Sequence, residues 1–267
     1  MKCLDRHQNE LGRWLLGGNS ATATAAVTGE MGWSPYEIRE ARPKILYAGG
    51  LKFMPETNVS KRIYLHLRYR NIKTHWIRRI RALEAKYGRD SKRHETKSAA
   101  AWDKVTIKEI TEANTKAWRA AVAKKQSLTL YAKHTTEPQQ RPFYRGDRES
   151  GLFFQARTGS LLTQQRRHEL FGSDPRCRLC GAPSETVDHI LYECPKMPVD
   201  VSAAKVLAES LALSGNSTQD RAREAVLTKQ RLRLWEQHCR HADADKLCDA
   251  AASQQRAATS PRDCSAD

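Results

Sequence analysis

The sequence predicts a mostly α-helical chain: an irregular helical domain with one long basic amphipathic helix, a small metal-binding module and a disordered C-terminal tail. Three observations predict this fold class. Residues 61–87 repeat apolar side chains every three or four positions, which is the period of an amphipathic helix. Residues 99–125 are rich in Ala and place Trp, Val and Ile near one helical face. Three Cys and one His within residues 177–194 have the spacing of metal ligands.

The predicted helix over residues 61–87 would be roughly 40 Å long at 1.5 Å per residue, and Gly88 would end it. Residues 61–93 contain twelve Lys and Arg against two Asp and Glu, so this helix is strongly basic. One apolar stripe is expected along it, formed by Leu65, Tyr69, Ile72, Trp76, Ile80, Leu83 and Tyr87.

A shorter helix is predicted to begin at Ser34, a good N-cap residue. Pro35 would occupy the first helical position and Glu37 would complete a capping box. We expect this helix to stop before Pro43.

The pattern of helical and polar stretches divides the chain into five segments. Residues 134–150 contain Pro138, Pro142 and Gly146 and are predicted to be a linker. Helices are expected over 152–171, with a possible break at Gly159, and over 201–213 and 219–238. The segments are a helical region at 1–133, the linker at 134–150, an Arg-rich helix with the Cys cluster at 151–198, C-terminal helices at 199–252 and a disordered tail at 253–267.

Charge and hydropathy indicate the class of partner. The chain has 46 Lys and Arg against 30 Asp and Glu, a formal net charge of +16 and 39% hydrophobic residues. This excess favours a polyanionic partner, most simply nucleic acid. No run approaches the ~20 apolar residues that span a bilayer, and the polar N-terminus has no secretory signal pattern. We therefore expect an intracellular protein, nuclear or cytoplasmic, that has no membrane partner and whose seven Cys are thiols or metal ligands.

The strongest motif is C-x2-C-x8-H-x4-C, formed by Cys177, Cys180, His189 and Cys194. Two thiols in a C-x2-C turn can face one ion, and Gly181 permits the tight backbone that the turn requires. Three sulfurs and one imidazole form a closed set that suits tetrahedral Zn²⁺ as a structural cofactor. The alternative to a metal site is that these residues are ordinary side chains of the core or of loops.

The second ligand pair is predicted to lie on a short helix with Ser184 as N-cap and Glu185 in its first turn. His189 and Cys194 are five residues apart and would not share a face of a regular α-helix. The helix must therefore loosen before Cys194, where Pro195 disfavours helical geometry. A second group has neither a C-x2-C turn nor a consistent ligand pair, and its residues 238–241 can be a solvated helix surface. This group consists of His238, Cys239, His241 and Cys248.

Basic residues in both regions are candidates for phosphate contact, and Phe and Tyr residues beside the Cys cluster could stack on bases. Any one of these arginines could equally lie on a solvated face without contacting a phosphate. The prediction of nucleic-acid binding therefore rests on their summed charge. Sequence preference should be weak because no base-reading motif is visible. The candidates are Arg68, Arg70, Lys73, Arg78, Arg79, Arg81, Arg166, Arg167 and Arg178.

Residues 157–172 (RTGSLLTQQRRHELFG), 177–181 (CRLCG) and 185–195 (ETVDHILYECP) together resemble the C-terminal end of non-LTR (LINE-type) retrotransposon reverse transcriptases. Upstream, the stretches VTGEMGW, REARPK and WIRR are similar to the helical region after the polymerase in tick-transposon-like elements. The resemblance implies that the four Cys and His residues are metal ligands of a CCHC knuckle. It also implies that the flanking basic helices contact template RNA or target DNA.

The catalytic signature of such a polymerase is missing. No Asp-Asp pair occurs in the sequence, and Asp243 and Asp245 lie in a polar stretch without a strand pattern. Glu84-x-Lys86 resembles half of a nuclease motif but lacks its Pro-Asp partner. We therefore expect that the chain has no enzymatic activity and that it is a zinc-stabilised, nucleic-acid-binding remnant of a retrotransposon polyprotein. The alternative is a helical scaffold that binds other proteins and is stabilised by a structural zinc. The sequence does not predict the oligomeric state.

Overall fold

The computed structural model describes residues 2–87, 98–198, 206–215 and 217–258, with side chains up to residue 243. These residues contain helices and connecting turns but no β-strand, so the predicted mostly-α class is confirmed. The α-helices are α1 (Lys2–Leu15), α2 (Thr24–Met31), α3 (Tyr36–Phe53), α4 (Val59–Tyr69), α5 (His75–Lys86), α6 (Ala99–Ala123), α7 (Thr129–His134), α8 (Arg148–Arg157), α9 (Gln164–Phe171), α10 (Leu207–Ser210) and α11 (Thr218–Ala258).

The chain divides into two compact units. Unit 1 comprises Met1–Gly12 and Ala23–Arg141, and unit 2 comprises Arg13–Thr22 and Pro142–Asp267. The change of unit after Arg141 falls inside the segment 134–150, which has no helix between α7 and α8. Within the described residues, no helix combines the length and the apolar character needed to cross a membrane.

Helix α3 is the centre of unit 1, where it packs against α4, α5 and α6. It begins at Tyr36 with Pro35 as N-cap, one residue later than predicted. The predicted end before Pro43 is wrong, because α3 continues through this proline to Phe53. Proline inside a helix costs about 3 kcal/mol, and burial of residues such as Ile45 and Leu51 offsets that cost.

The predicted single helix over 61–87 is also wrong, because the chain turns between α4 and α5. Asn71 has a φ of 52°, a left-handed conformation that Asn tolerates better than most residues. Thr74 then caps α5, since its hydroxyl accepts a hydrogen bond from the Ile77 N–H at 3.2 Å. Tyr69 and Ile72 of the predicted stripe are consequently exposed, and the predicted end at Gly88 lies outside the described residues.

Two other helix predictions, before the C-terminal ones, can be compared with the structure. Helix α6, predicted over 99–125, is confirmed within two residues, and Ser98 caps it by accepting from the Ala101 N–H. The stretch 152–171 is divided into α8 and α9, with Gly159 at a φ of 61° between them.

The C-terminal predictions need correction. Residues 201–205 lie outside the described residues, and α10 covers only Leu207–Ser210 of the predicted helix 201–213. The helix predicted over 219–238 continues to Ala258 as α11. The first six residues of the predicted tail, 253–258, therefore belong to α11, and residues 259–267 lie outside the described residues.

Helix α8 is the centre of unit 2, and all its residues from Ser150 to Arg157 are buried. Helix α11 packs along it, and the Lys229 ammonium donates to the Ser150 hydroxyl at 3.0 Å. The Gln155 amide donates to the Gly17 carbonyl at 2.7 Å and so holds the Arg13–Thr22 segment on α8.

The contact between α3 and α6 leaves no room for a side chain at Gly49. A Cβ there would lie 1.8 Å from Nε1 of the buried Trp102, whereas a Cβ at Gly50 would meet nothing within 4 Å. We predict that Gly49→Ala destabilises unit 1 by about 1–3 kcal/mol or more through overpacking. Gly50→Ala should be neutral or slightly stabilising, since Ala is the better helix former. Thermal unfolding followed by circular dichroism measures both, and equal melting temperatures would contradict this packing.

Candidate metal centre

Four ligand atoms converge in unit 2. The Sγ atoms of Cys177, Cys180 and Cys194 and a ring nitrogen of His189 all lie within 4.8 Å of one another. The Cys177 and Cys194 sulfurs are 4.0 Å apart, and the Cys180 sulfur is 3.3 Å from His189 Nε2. The structure thus brings the sequence-predicted set together, and this set can hold one metal ion.

A turn of π-helix brings His189 and Cys194, which are five residues apart, onto one side of the chain. Residues His189–Glu193 are π-helical, and the Cys194 N–H donates to the His189 carbonyl at 2.8 Å. An i→i+5 bond places residues five apart on the same side of the chain, which a regular α-helix does not. The expected loosening before Cys194 is therefore present, and it has a defined form.

The capping prediction for this segment is wrong. The Thr186 hydroxyl, and not that of Ser184, accepts from the His189 N–H at 3.0 Å. Ser184 instead donates to the Gln165 side chain of α9 at 2.9 Å. Thr186 is three residues before His189, so the ordinary N-cap rule fits it as well as it fitted Ser184.

The first ligand pair lies in a tight turn. The Gly181 N–H donates to the Cys177 carbonyl at 2.9 Å, and the Cys177 N–H donates to the Ala182 carbonyl at 2.8 Å. Gly181 has a φ of 74°, so the expected role of glycine in this turn is confirmed.

Glu185 links this turn to α9, a role that the sequence did not predict. The side chain is completely buried, and its carboxylate accepts from the Gln164 N–H at 3.0 Å and the Arg178 N–H at 3.1 Å. The Arg178 guanidinium donates to the same carboxylate at 3.3 Å. Glu185 therefore holds the Cys177–Cys180 turn against α9 and does not serve as a charge in the first turn of a helix.

Two further residues support the ligands from outside. His189 Nδ1 lies 3.5 Å from the Glu193 carboxylate, so the nitrogen opposite the sulfurs faces an anion. Carboxylates in this position orient metal-binding imidazoles. Arg231 of α11 donates to the carbonyls of Ile190 and Pro198 at 3.0 and 2.6 Å, and so holds the π-turn on α11.

The thiols have unequal proton affinities. Burial raises the pKa of Cys177 to about 12 and also raises the pKa of Cys194. Burial acts in the same direction at Cys180, but the Ala182 N–H and the neighbouring thiols outweigh it and lower the pKa of that thiol. Metal binding at such a site must displace protons, so its affinity falls as the pH falls.

Three of the candidate nucleic-acid contacts in unit 1 hold the unit together. Arg68 pairs with the buried Glu84 carboxylate at 2.8 Å. Arg79 donates twice to Glu40, at 3.0 and 2.5 Å, and lowers the pKa of that carboxyl to about 2. Arg81 donates to the Asn71 side chain and to a backbone carbonyl, which fixes the α4–α5 turn.

The other three candidates in unit 1 face solvent. Arg70, Lys73 and Arg78 are exposed, and none forms an ion pair within the described part of the chain. Tyr69, beside Arg70 at the end of α4, is 83% exposed. We call Tyr69, Arg70, Lys73 and Arg78 the basic turn.

The candidates in unit 2 have different surroundings. Arg166 pairs with Glu169 on α9 at 2.6 Å. The Arg167 Nε donates to the Leu162 carbonyl at 3.4 Å. Arg178 pairs with Glu185 and lies over the Trp235 ring, 5.4 Å from its centroid.

The nuclease-like motif belongs to ion pairs within unit 1. Lys86 pairs with Glu37, so Glu84-x-Lys86 is divided between two ion pairs. The solvated surface predicted at residues 238–241 is wrong at Cys239, which is buried, whereas His241 is exposed. Cys239 is a buried thiol on α11, and burial raises its pKa to about 12. Cys177, Cys180, His189 and Cys194 form the one metal-ligating cluster found in the described residues.

The sequence of the chain matches no family model and no curated protein, and its fold matches no solved structure. The resemblance to retrotransposon proteins therefore stays a prediction that rests on the residues quoted for it.

We predict that Cys194→Ser reduces bound divalent metal from one ion per chain to nearly none, because a soft thiolate ligand is lost. Cys3→Ser is the matched control, since Cys3 is an exposed free thiol on α1. Native mass spectrometry after reconstitution and desalting measures the stoichiometry. Full metal content in the Cys194 variant would overturn the ligand assignment.

Proposed function

We propose that the chain is a zinc-stabilised nucleic-acid-binding protein without catalytic activity, derived from the region after the polymerase of a non-LTR retrotransposon. The observation that carries the proposal is the convergence of three thiols and one imidazole within 4.8 Å. Its second support is the net charge of +16, together with exposed cations that have no partner in the described residues.

Zinc fits this donor set in type, and two of the distances between ligand atoms fit tetrahedral coordination. Tetrahedral coordination at about 2.3 Å from sulfur and 2.0 Å from nitrogen requires sulfurs about 3.8 Å apart and sulfur and nitrogen about 3.5 Å apart. The corresponding distances of 4.0 and 3.3 Å each lie within about 0.2 Å of these values. All four ligands would be protein side chains, which is typical of a structural site. Bound zinc would contribute folding energy and no reaction step.

The ligands would then join parts of unit 2 that are separate in sequence. Cys177 and Cys180 lie in the turn that Glu185 attaches to α9. His189 and Cys194 lie on the π-turn that Arg231 attaches to α11. Holding these two pieces together is the structural role that we propose for zinc.

Nucleic-acid binding is best supported at the basic turn. Its three cations are exposed, whereas Arg68 and Arg79 already neutralise carboxylates of the protein. The exposed ring of Tyr69 adds a surface on which a base can stack, a contact worth about 1–3 kcal/mol that tolerates every base. Phosphate contact by flexible cations and stacking on one ring both give weak sequence preference.

A protein-interaction scaffold is the second candidate, and α1 favours it. Leu4, Leu11 and Trp14 of this helix are exposed, Trp14 by 77%. Large apolar side chains exposed along one helix are typical of a surface that docks another protein. Salt separates the two candidates, because phosphate contacts weaken with salt and apolar contacts do not.

We predict that replacing Arg70, Lys73 and Arg78 together by Gln weakens binding to a single strand of about 20 nucleotides by up to about 100-fold at about 0.1 M salt. The slope of log K against log salt should shrink by about 2, since each lost contact to a single strand removes about 0.7. Fluorescence anisotropy at salt concentrations from about 50 to about 200 mM measures both quantities.

The matched control replaces Lys104, Lys116 and Lys133 by Gln. These lysines are exposed on α6 and α7, so the change in net charge is the same. A control that weakens binding as much as the basic-turn variant would show that only net charge matters. A parent chain whose affinity does not change with salt, or that does not bind at all, would favour the scaffold.

A further inference from the structure

We propose that unit 2 contains a second site, a pocket that binds a phosphate group of a nucleic-acid strand. The proposal rests on the nucleic-acid function above, but it concerns a cavity and not the basic turn. The cavity has a volume of about 280 Å³. The sequence predicts phosphate contact at Arg167 and Arg178, and the structure places both residues in the wall of this cavity.

Arginines from four different elements line the cavity. Arg148 begins α8, Arg167 lies on α9, Arg178 lies between the two ligands of the C-x2-C turn, and Arg240 lies on α11. Four guanidinium groups around one small space repel one another unless anions accompany them.

Carboxylates of the protein neutralise only part of this charge. Glu236 pairs with Arg148, with Arg240 at 3.4 Å and with Arg233 at 3.0 Å. Burial raises the pKa of Glu236, but the arginines outweigh this effect and lower it, so one carboxylate is shared among three cations.

The remaining acids serve Arg178, whose guanidinium is 3.3 Å from Glu185 and 3.6 Å from Asp243. Five arginines thus face three carboxylates in this network, an excess of two positive charges. A phosphate monoester carries about −1.5 to −2 charges at pH 7 and a phosphodiester about −1. A bound phosphate group therefore matches the uncompensated charge.

Arg167 is the arginine best suited to receive the ligand. Its Nε donates to a backbone carbonyl, and its guanidinium forms no ion pair within the described chain. Arg148 and Arg178 are held in place by their carboxylates and shape the wall around it.

The wall is also short of hydrogen-bond acceptors. The Trp235 indole N–H and the Arg178 Nε are buried and have no acceptor in the described structure. The Cys239 thiol remains neutral, since burial raises its pKa to about 12. A ligand that brings oxygen acceptors and negative charge suits such a wall, and phosphate brings both.

The test measures binding of inorganic phosphate to the metal-loaded full chain by NMR of the arginine Nε–Hε signals. We expect saturable shifts at Arg167 and Arg178, and a loss of affinity of about tenfold or more in Arg167→Gln. Arg223→Gln is the matched control, because Arg223 is an exposed arginine of unit 2 on α11 and does not line the cavity. Arg240→Gln is a second pocket variant whose side chain is 66% exposed, so it can be replaced without opening the core.

Two oligonucleotides, one with a 5′-phosphate and one with a 5′-hydroxyl, show whether the pocket binds a terminal or an internal phosphate group. A preference for a 5′-phosphorylated oligonucleotide over the 5′-hydroxyl form, lost in Arg167→Gln, assigns the pocket to strand ends. If both oligonucleotides bind equally well and Arg167→Gln weakens both to the same extent, the pocket binds internal phosphates.

The proposed phosphate site would be wrong if phosphate binding did not saturate. It would also be wrong if the parent, Arg167→Gln and Arg240→Gln chains bound phosphate with equal affinity. Strand binding through the basic turn would survive that result, so the proposed function would stand. If phosphate binds in the pocket but no strand binds the chain, the proposed function fails instead.

Discussion

The hydrogen bond from the Cys194 N–H to the His189 carbonyl is the interaction on which the candidate metal centre of unit 2 depends most. It closes an i→i+5 turn, and this turn brings two ligands that are five residues apart onto one side of the chain. In a regular α-helix the two side chains would diverge, and the four ligand atoms would not meet. The buried carboxylate of Glu185 is its counterpart on the other side of the centre, because it ties the Cys177–Cys180 turn to α9.

The positive charges of the chain have two separate uses. In unit 1, Arg68 and Arg79 reach across to carboxylates on other helices and contribute to the packing of α3, α4 and α5. Net charge alone does not identify a binding surface, because such ion pairs count in the total but are already satisfied. The exposed cations of the basic turn and the incompletely compensated arginines of the unit 2 cavity are the charges that we propose for contact with a partner. Both lie where the chain is fixed by hydrogen bonds, the first by Arg81 and the second by Glu236.

The sequence predicted those features that depend on neighbours along the chain. The four candidate metal ligands follow from local spacing, and α6 follows from its Ala content and the apolar side chains near one of its faces. The apolar period alone missed the break after Tyr69, because the period continues through the turn. The backbone nevertheless leaves the helix at Asn71, and Thr74 caps a new one. The end predicted at Pro43 was wrong for the opposite reason, since packing of α3 on three other helices outweighs a local penalty.

The roles of the arginines depend on contacts distant in sequence. Arg79 and Glu40 are 39 residues apart, and Arg148 and Glu236 are 88 apart. No local pattern separates such an arginine from one that faces solvent. The i+4 spacing of His189 and Glu193 is the exception, because this carboxylate could have been recognised from sequence as a support for the imidazole.

X-ray absorption at the zinc edge, on the purified chain with one equivalent of zinc, tests the central claim most directly. The account predicts three sulfur neighbours at about 2.3 Å and one nitrogen neighbour at about 2.0 Å. A shell with fewer than three sulfurs, or one made of oxygen and nitrogen only, would contradict a zinc centre built by Cys177, Cys180, His189 and Cys194.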